Sequence, residues 1–216
     1  MLEEQQMIIA IDGPAGTGKS TIAKMLADKL NITFLNSGGF YRALTMAVLE
    51  AGVDYKDEKA TLEFCKKQKI EYTKEGHFIL NGTDVTAHLH DDQVTANTSQ
   101  VSAIVEVRHL VNTLMREITK SLSIVCEGRD MTTVVFPNAE YKVYLDASAE
   151  VRAKRRFDQG VSDMTFEEIK ASIEKRDEMD KNKKEGSLKI APDALYIDTS
   201  NLTIDKVCEI ILNKIS

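Results

Sequence analysis

The sequence predicts an α/β fold: a parallel sheet of five strands with helices on both faces. Three observations carry that expectation. Short apolar runs rich in β-branched residues recur along the chain, as strands buried on both faces require. Amphipathic stretches with three- and four-residue spacing fill much of the space between them. Strand and helix therefore alternate, the pattern of a sheet covered on both sides. At 216 residues the chain exceeds one domain of roughly 150 residues and falls short of two, so one core carrying insertions is expected.

Taken in order, the first strand is the run MIIAI at residues 7–11, closed by Asp12-Gly13-Pro14. In the helix that follows, Ile22, Ala23, Met25, Leu26 and Leu30 recur with Lys24, Asp28 and Lys29 between them. A weaker strand lies at residues 33–35, and three more at 124–126, 143–145 and 195–197. The last helix gathers Ile204, Val207, Cys208, Ile210 and Ile211 behind Thr203 as N-cap. Two stretches break the alternation. Residues 69–85 (KIEYTKEGHFILNGTDV) alternate apolar and polar and turn at Lys74-Glu75-Gly76, which predicts an antiparallel hairpin inserted on the sheet. In residues 174–189, eleven of sixteen side chains are charged, six basic and five acidic; on composition alone this is as much a solvated helix face or loop as a functional segment. There is no internal repeat and no Gly/Ser or Pro linker, and the three prolines mark no hinge.

Composition narrows the function. With 43% hydrophobic and 29% charged residues the chain falls among globular proteins. A net charge of −6 argues against a dedicated nucleic-acid binder. No apolar run approaches the ~20 residues that span a bilayer. The opening MLEEQQ is acidic and polar where a signal peptide would be basic and then apolar. Cys65, Cys126 and Cys208 are far apart and form no C-x-x-C pair, which argues against a disulfide framework or a zinc ribbon. A cytoplasmic protein is expected, with neither membrane nor nucleic-acid partners.

One motif carries the chemistry. Gly13-Pro14-Ala15-Gly16-Thr17-Gly18-Lys19-Ser20, followed by Thr21, matches G-x-x-x-x-G-K-[ST] between a buried strand and an amphipathic helix. Its glycines let the backbone wrap a phosphate with N–H groups, and the helix that follows aims its positive end at the same anion. Lys19 is expected to reach the β- and γ-phosphates of a nucleoside triphosphate, and the Ser20 hydroxyl to ligate Mg²⁺. The chain also places Arg42, Arg108, Arg129, Arg152, Arg155, Arg156 and Arg176 in polar settings. Transfer between two nucleotides gathers many negative charges and needs such clamps, for which the planar guanidinium fork is suited.

Further segments point to a family: NSGGFYRA at 36–43, EGRDMTTVVFPNA at 127–139, LDASAEVRAKRR at 145–156 and RDEMDKN at 176–182. With the phosphate loop they make the chain resemble the bacterial-type cytidylate kinases, among the P-loop nucleoside monophosphate kinases. The resemblance runs from residue 7 nearly to the C-terminus. It implies a three-layer P-loop kinase fold whose core is residues 1–36, 116–154 and 191–216. It also implies a monophosphate-binding insertion at 37–115, containing the hairpin, and a lid at 155–190. The implied enzyme is a monomer that transfers the γ-phosphoryl group of ATP to CMP or dCMP with Mg²⁺. Residue by residue, Ser37, Arg42, Arg129 and Lys183 would surround the acceptor phosphate. Ser99, Arg108 and Asp130 would face the cytosine, and Arg176 with Asp180 the sugar. Arg152, Arg155 and Arg156 would approach the donor phosphates from the lid.

The chemistry of the base agrees. Cytosine offers an amino donor that Asp130 can accept and acceptors that Arg108 and Ser99 can serve; uracil would set an oxygen against the carboxylate. The chain departs from the family pattern in places. The usual D-T-G-A-M-Y-R reads Asn36-Ser37-Gly38-Gly39-Phe40-Tyr41-Arg42, and G-R-D-I-G-T reads Gly128-Arg129-Asp130-Met131-Thr132-Thr133. Lys183 stands for the lid arginine, and keeps the charge without the fork. Elsewhere, residues 88–92 read as a polar loop, Cys126 as a small core residue, and Met131, Met164 and Met179 as packing residues. Glu127 would either organise magnesium-bound water or cap a helix. The rival readings are a kinase for UMP, AMP or shikimate, and a nucleotide switch or assembly ATPase; the chain lacks the guanine motif N-K-x-D.

Overall fold

The computed structural model describes residues 6–120, 122–160 and 164–215. Most of the acidic N-terminal stretch (residues 1–5) and residues 161–163 of the expected lid lie outside them. The chain forms β1 (Ile8–Asp12), α1 (Lys19–Leu30), β2 (Thr33–Asn36), α2 (Ser37–Glu50), α3 (Glu58–Cys65), β3 (Ile70–Tyr72), β4 (Phe78–Leu80), β5 (Thr83–Asp84), α4 (Asp92–Val101) and α5 (Val105–Thr119). There follow β6 (Ile124–Gly128), β7 (Tyr141–Asp146), α6 (Ala149–Asp158), α7 (Phe166–Lys181), β8 (Leu195–Asp198) and α8 (Ile204–Ile215). The expected five-stranded sheet is present, in the order β2-β6-β1-β7-β8. The chain divides into two compact units, Met1–Phe34 with Ser123–Ser216, and Leu35–Leu122.

In the larger unit the sheet is covered by α1 and α8. Ile9, Ile11, Val125, Val143, Leu145 and Ile197 of the strands pack with Ile22 and Leu26 of α1 and Val207 and Ile211 of α8. Each such side chain, fully buried, stabilises the fold by about 1.5–3 kcal/mol relative to exposure. Ile9 and Ile11 face α1 and α8, and Ala10 on the opposite face of β1 is fully buried too, which accounts for the unbroken apolar run. Thr203 caps α8 as expected, accepting from the Lys206 N–H at 3.3 Å. The charged run lies largely on α7, which opens with a capping box between Thr165 and Glu168. Its inner face (Ile169, Ile173) packs on Ala153 of α6, and Asp177 and Asp180 continue that face as buried residues. Met131 is buried as expected, but Met164 and Met179 are exposed. For Met179 the helical period decides: it lies about 200° round from Asp177, on the solvent side.

The smaller unit holds α2 to α5 and a separate three-stranded antiparallel sheet, β3-β4-β5. The expected hairpin is its first two strands; the third extends it. Leu80 pairs with Thr83, so β4 and β5 are joined by two residues, Asn81 and Gly82, with φ of 50° and 88°. Both angles are positive, the requirement of a type I′ turn, and Asn-Gly is its preferred sequence. The sheet is seated on α2 by aromatic rings. Phe78 meets Phe40 edge-on at 4.9 Å and Tyr72 at 4.8 Å. The ring of Phe78 occupies the space of a side chain at Gly39, where a methyl group would stand 2.2 Å from it.

Candidate active site

In a parallel sheet the strands end together, and the loops beyond their C-terminal ends form the binding edge. Register sets Asp12 beside Gly128 and Tyr144, and Asp146 beside Asp198. The phosphate loop, the Gly128-Arg129-Asp130 segment, the start of α6 and Thr199 all follow at that end. At Gly13 a methyl group would lie 2.0 Å from the Leu145 carbonyl oxygen, so only glycine lets the chain leave the sheet there. The Thr17 hydroxyl and the Lys19 ammonium both donate to the Pro14 carbonyl, at 3.1 and 2.7 Å, closing the loop on itself. Gly18 is the N-cap of α1 and brings no capping side chain, which leaves the first turn open to an anion.

Lys19 is only 5% exposed. Burial pushes its ammonium down to about 7; Arg129 and Arg176 act the same way, while Glu127 and Asp12 oppose them. Ser20, on the first turn of α1, donates to Glu127 at 3.1 Å. A hydroxyl and a carboxylate at that distance are hard oxygen donors of the kind Mg²⁺ takes alongside substrate phosphates. Thr21 is exposed on the first turn of α1.

Asp12 anchors the turn that carries Asp130. Its carboxylate is fully buried and accepts from the Met131 N–H (2.9 Å), the Thr132 N–H (2.7 Å) and the Thr132 hydroxyl (2.6 Å). Burial pushes it up to about 6 despite those bonds. The Thr132 hydroxyl, a departure from the family's glycine, is thus a third donor to the same carboxylate. Residues 131–135 form a single wide π turn, with the Val134 and Val135 N–H groups donating to the Asp130 carbonyl. Such turns are frequent at functional positions. Asp130 itself is buried at the head of this turn.

The expected cations of this unit are held in different ways. Arg129 donates to Asp180 at 2.7 Å, and Lys183 pairs with the other oxygen of Asp180 at 2.8 Å. Burial alone would raise the Asp180 carboxyl; Arg129 and Lys183 outweigh it and hold it below the usual range. Arg152, 3% exposed, pairs with Asp177 and reaches the Ala15 carbonyl at 3.0 Å. Arg155 donates to the carbonyl and hydroxyl of Thr199, at 2.6 and 3.2 Å. Arg156 and Arg176 are exposed, on α6 and α7.

The smaller unit carries the rest of the expected set. Ser37, buried, is the first residue of α2, and half-buried Arg42 lies on the next turn. Arg108 is buried on α5 with its guanidinium 5.5 Å from the centre of the Tyr41 ring, a cation–π contact between α5 and α2. Ser99 is exposed near the end of α4. It joins Arg108 through Ser102, whose hydroxyl donates to the Ser99 carbonyl (3.2 Å) and whose carbonyl accepts from Arg108 (3.4 Å). Sequence reasoning missed Asp12, Asp177, Tyr41 and Thr199. Asp12 flanks the phosphate motif, a signal open to reading, but nothing local pairs it with a residue 120 positions away.

A glycine-lined loop at the strand edge, a buried lysine within it and arginines on separate elements make a site suited to a polyphosphate. The cytidylate kinase family model matches residues 9–216. The cytidylate kinase of Borrelia hermsii is 44% identical over 211 residues, covering 95% of this chain and 96% of that one. That of Fusobacterium nucleatum is 39% identical over 212 residues, 97% of each. Among solved structures, shikimate kinase from Bacteroides thetaiotaomicron shares the fold at 13% identity, with a TM-score of 0.51 over 97% of this chain and 98% of that one. The chain belongs to the cytidylate kinase family.

Proposed function

We propose that the protein transfers the γ-phosphoryl group of ATP to CMP or dCMP, giving ADP and CDP or dCDP in pyrimidine nucleotide metabolism. The observation that carries this is the family match over residues 9–216, which includes every segment quoted for the site. Within the larger unit, Lys19 and the loop 13–21 hold the donor phosphates, and Arg155 and Arg156 approach them. Arg129 and Lys183 take the acceptor phosphate, Asp130 the cytosine amino group, and Arg176 with Asp180 the sugar. Within the smaller unit, Ser37 and Arg42 take the acceptor phosphate, and Ser99 and Arg108 the base. Residues 37–115 form the monophosphate-binding insertion and 155–190 the lid in this reading.

A monophosphate has a second pKa of about 6, so its attacking oxygen is already ionised near neutrality and no strong base is needed. The chain's work is then positioning and charge neutralisation. Ser20 and Glu127 are the residues that would hold Mg²⁺, which neutralises developing phosphate charge when bound. Lid closure would exclude water and so prevent wasteful hydrolysis. The enzyme acts as a cytoplasmic monomer on small nucleotides, without a nucleic-acid partner; no helix among the described residues is long and apolar enough to cross a membrane.

A coupled assay with ATP, Mg²⁺ and a panel of acceptors tests the assignment. CMP and dCMP should exceed UMP in kcat/KM by about a hundredfold or more, because a buried carboxylate meets O4 of uracil. Asp130→Ala should erode that preference and leave ATP binding intact. Preferential use of AMP or shikimate would overturn the reading.

A further inference from the structure

The guanidinium of Arg152 is already occupied. Nε donates to the Ala147 carbonyl at 2.9 Å, Nη1 to the Ala15 carbonyl at 3.0 Å and to Asp177 at 3.1 Å, and Nη2 to the second Asp177 oxygen. Those bonds use four of the five N–H groups an arginine has. The aliphatic stem lies under the loop: a methyl group at Gly16 would stand 3.2 Å from the Arg152 Cβ. Arg152 is therefore built into the wall of the phosphate loop, between it and α7.

The bond to Ala15 has a consequence for the loop. The Ala15 carbonyl and the Gly16 N–H belong to one planar trans peptide and point in opposite directions. Holding the carbonyl fixes where that N–H points, and N–H direction is what such a loop uses to bind phosphate. Asp177 fixes Arg152 in turn, by two parallel bonds to its fork. One turn later on the same helix, Asp180 holds Arg129 and Lys183 instead. Two carboxylates three residues apart thus serve different partners.

We propose that Asp177 is a positioning residue for the donor loop, acting through Arg152, and that α7 thereby sets the shape of the phosphate-binding backbone. The proposal rests on the reading that ATP binds this loop, and it moves Arg152 from gripping phosphate to holding the loop that does. Asp177 serves the donor side, whereas Asp180 serves the residues assigned to the acceptor.

ATP binding without acceptor, measured by titration calorimetry, and the KM for CMP would be compared across wild type, Asp177→Asn, Arg152→Lys and Asp180→Asn. Asp177→Asn should weaken ATP binding by about tenfold or more and change the KM for CMP by less than about twofold. Arg152→Lys keeps a cation against Asp177 but loses the fork. It should show the same split, and it keeps the proposal testable if Asp177→Asn does not fold. Asp180→Asn should show the reverse split. Arg152→Lys combined with Asp177→Asn should bind ATP no more weakly than the worse single variant, because both act through one contact. A lowered Tm with both constants unchanged below the transition would overturn the proposal, as would an effect on the KM for CMP alone. Failure of the underlying reading looks different: the wild-type protein itself would not bind ATP.

Discussion

Lys19 occupies a site that works against its own charge until an anion arrives. Burial, Arg129 and Arg176 hold its ammonium at about 7 in the free protein. A polyphosphate brings opposite charge against it and favours the protonated form. Above pH 7 the free lysine is mostly neutral, so ATP binding must take up a proton; below pH 7 the proton is already present. ATP affinity should therefore weaken as pH rises through the neutral range. Calorimetry in buffers of different ionisation enthalpy should give an uptake of about one proton at pH 8 that vanishes toward pH 6. Lys19→Arg, permanently charged, should abolish the uptake at pH 8; equal uptake in both proteins would place the titration elsewhere. The phosphate loop was readable in the sequence because its constraints are local: spacing, glycine and a helix start. The Pro14 carbonyl to which Lys19 donates lies within the same eight residues, but the bond itself was not read from them. The setting of Arg152 was not readable, since it depends on Asp177 and Ala15, which only the folded sheet and α7 bring to it.

At the scale of elements, the small antiparallel sheet is held to α2 by exchanged volume. The family pattern has alanine and methionine where this chain has Gly39 and Phe40, and the structure supplies the reason: the ring of Phe78 fills the place a methyl group would take at Gly39. Gly39→Ala should lower stability by about 1–3 kcal/mol, the usual cost of overfilling a packed site. Gly39→Ala combined with Phe78→Leu should recover part of that loss. Urea denaturation of wild type, Gly39→Ala, Phe78→Leu and the double variant measures the coupling, and a neutral Gly39→Ala would show that the ring simply moves aside. Helices α1 and α8 and the first hairpin were legible as periodicities of 3.6 and 2. The third short strand was missed because two residues carry too little pattern, although Asn81-Gly82 announced its turn. The outer face of α7 was misread at Met179, because a methionine's burial depends on which face its neighbours Asp177 and Asp180 claim.

At the scale of the whole molecule, the strand order gives the α/β fold and the family match gives the kinase, and the expected residues are distributed over both compact units. The fold class was legible because unbroken apolar strands and amphipathic helices admit few other architectures. The chemistry followed from one motif and its arginines, whereas contacts between distant segments, such as Asp12 with Thr132, came only from the fold. Transfer to a pyrimidine monophosphate differs from hydrolysis in where the phosphorus goes. Phosphorus NMR of the protein with ATP, CMP and Mg²⁺ follows each phosphoryl group directly. The γ-phosphorus of ATP should disappear as the β-phosphorus of CDP grows in equal amount, with ADP accumulating and no inorganic phosphate. Inorganic phosphate formed at the same rate with or without CMP would contradict the account.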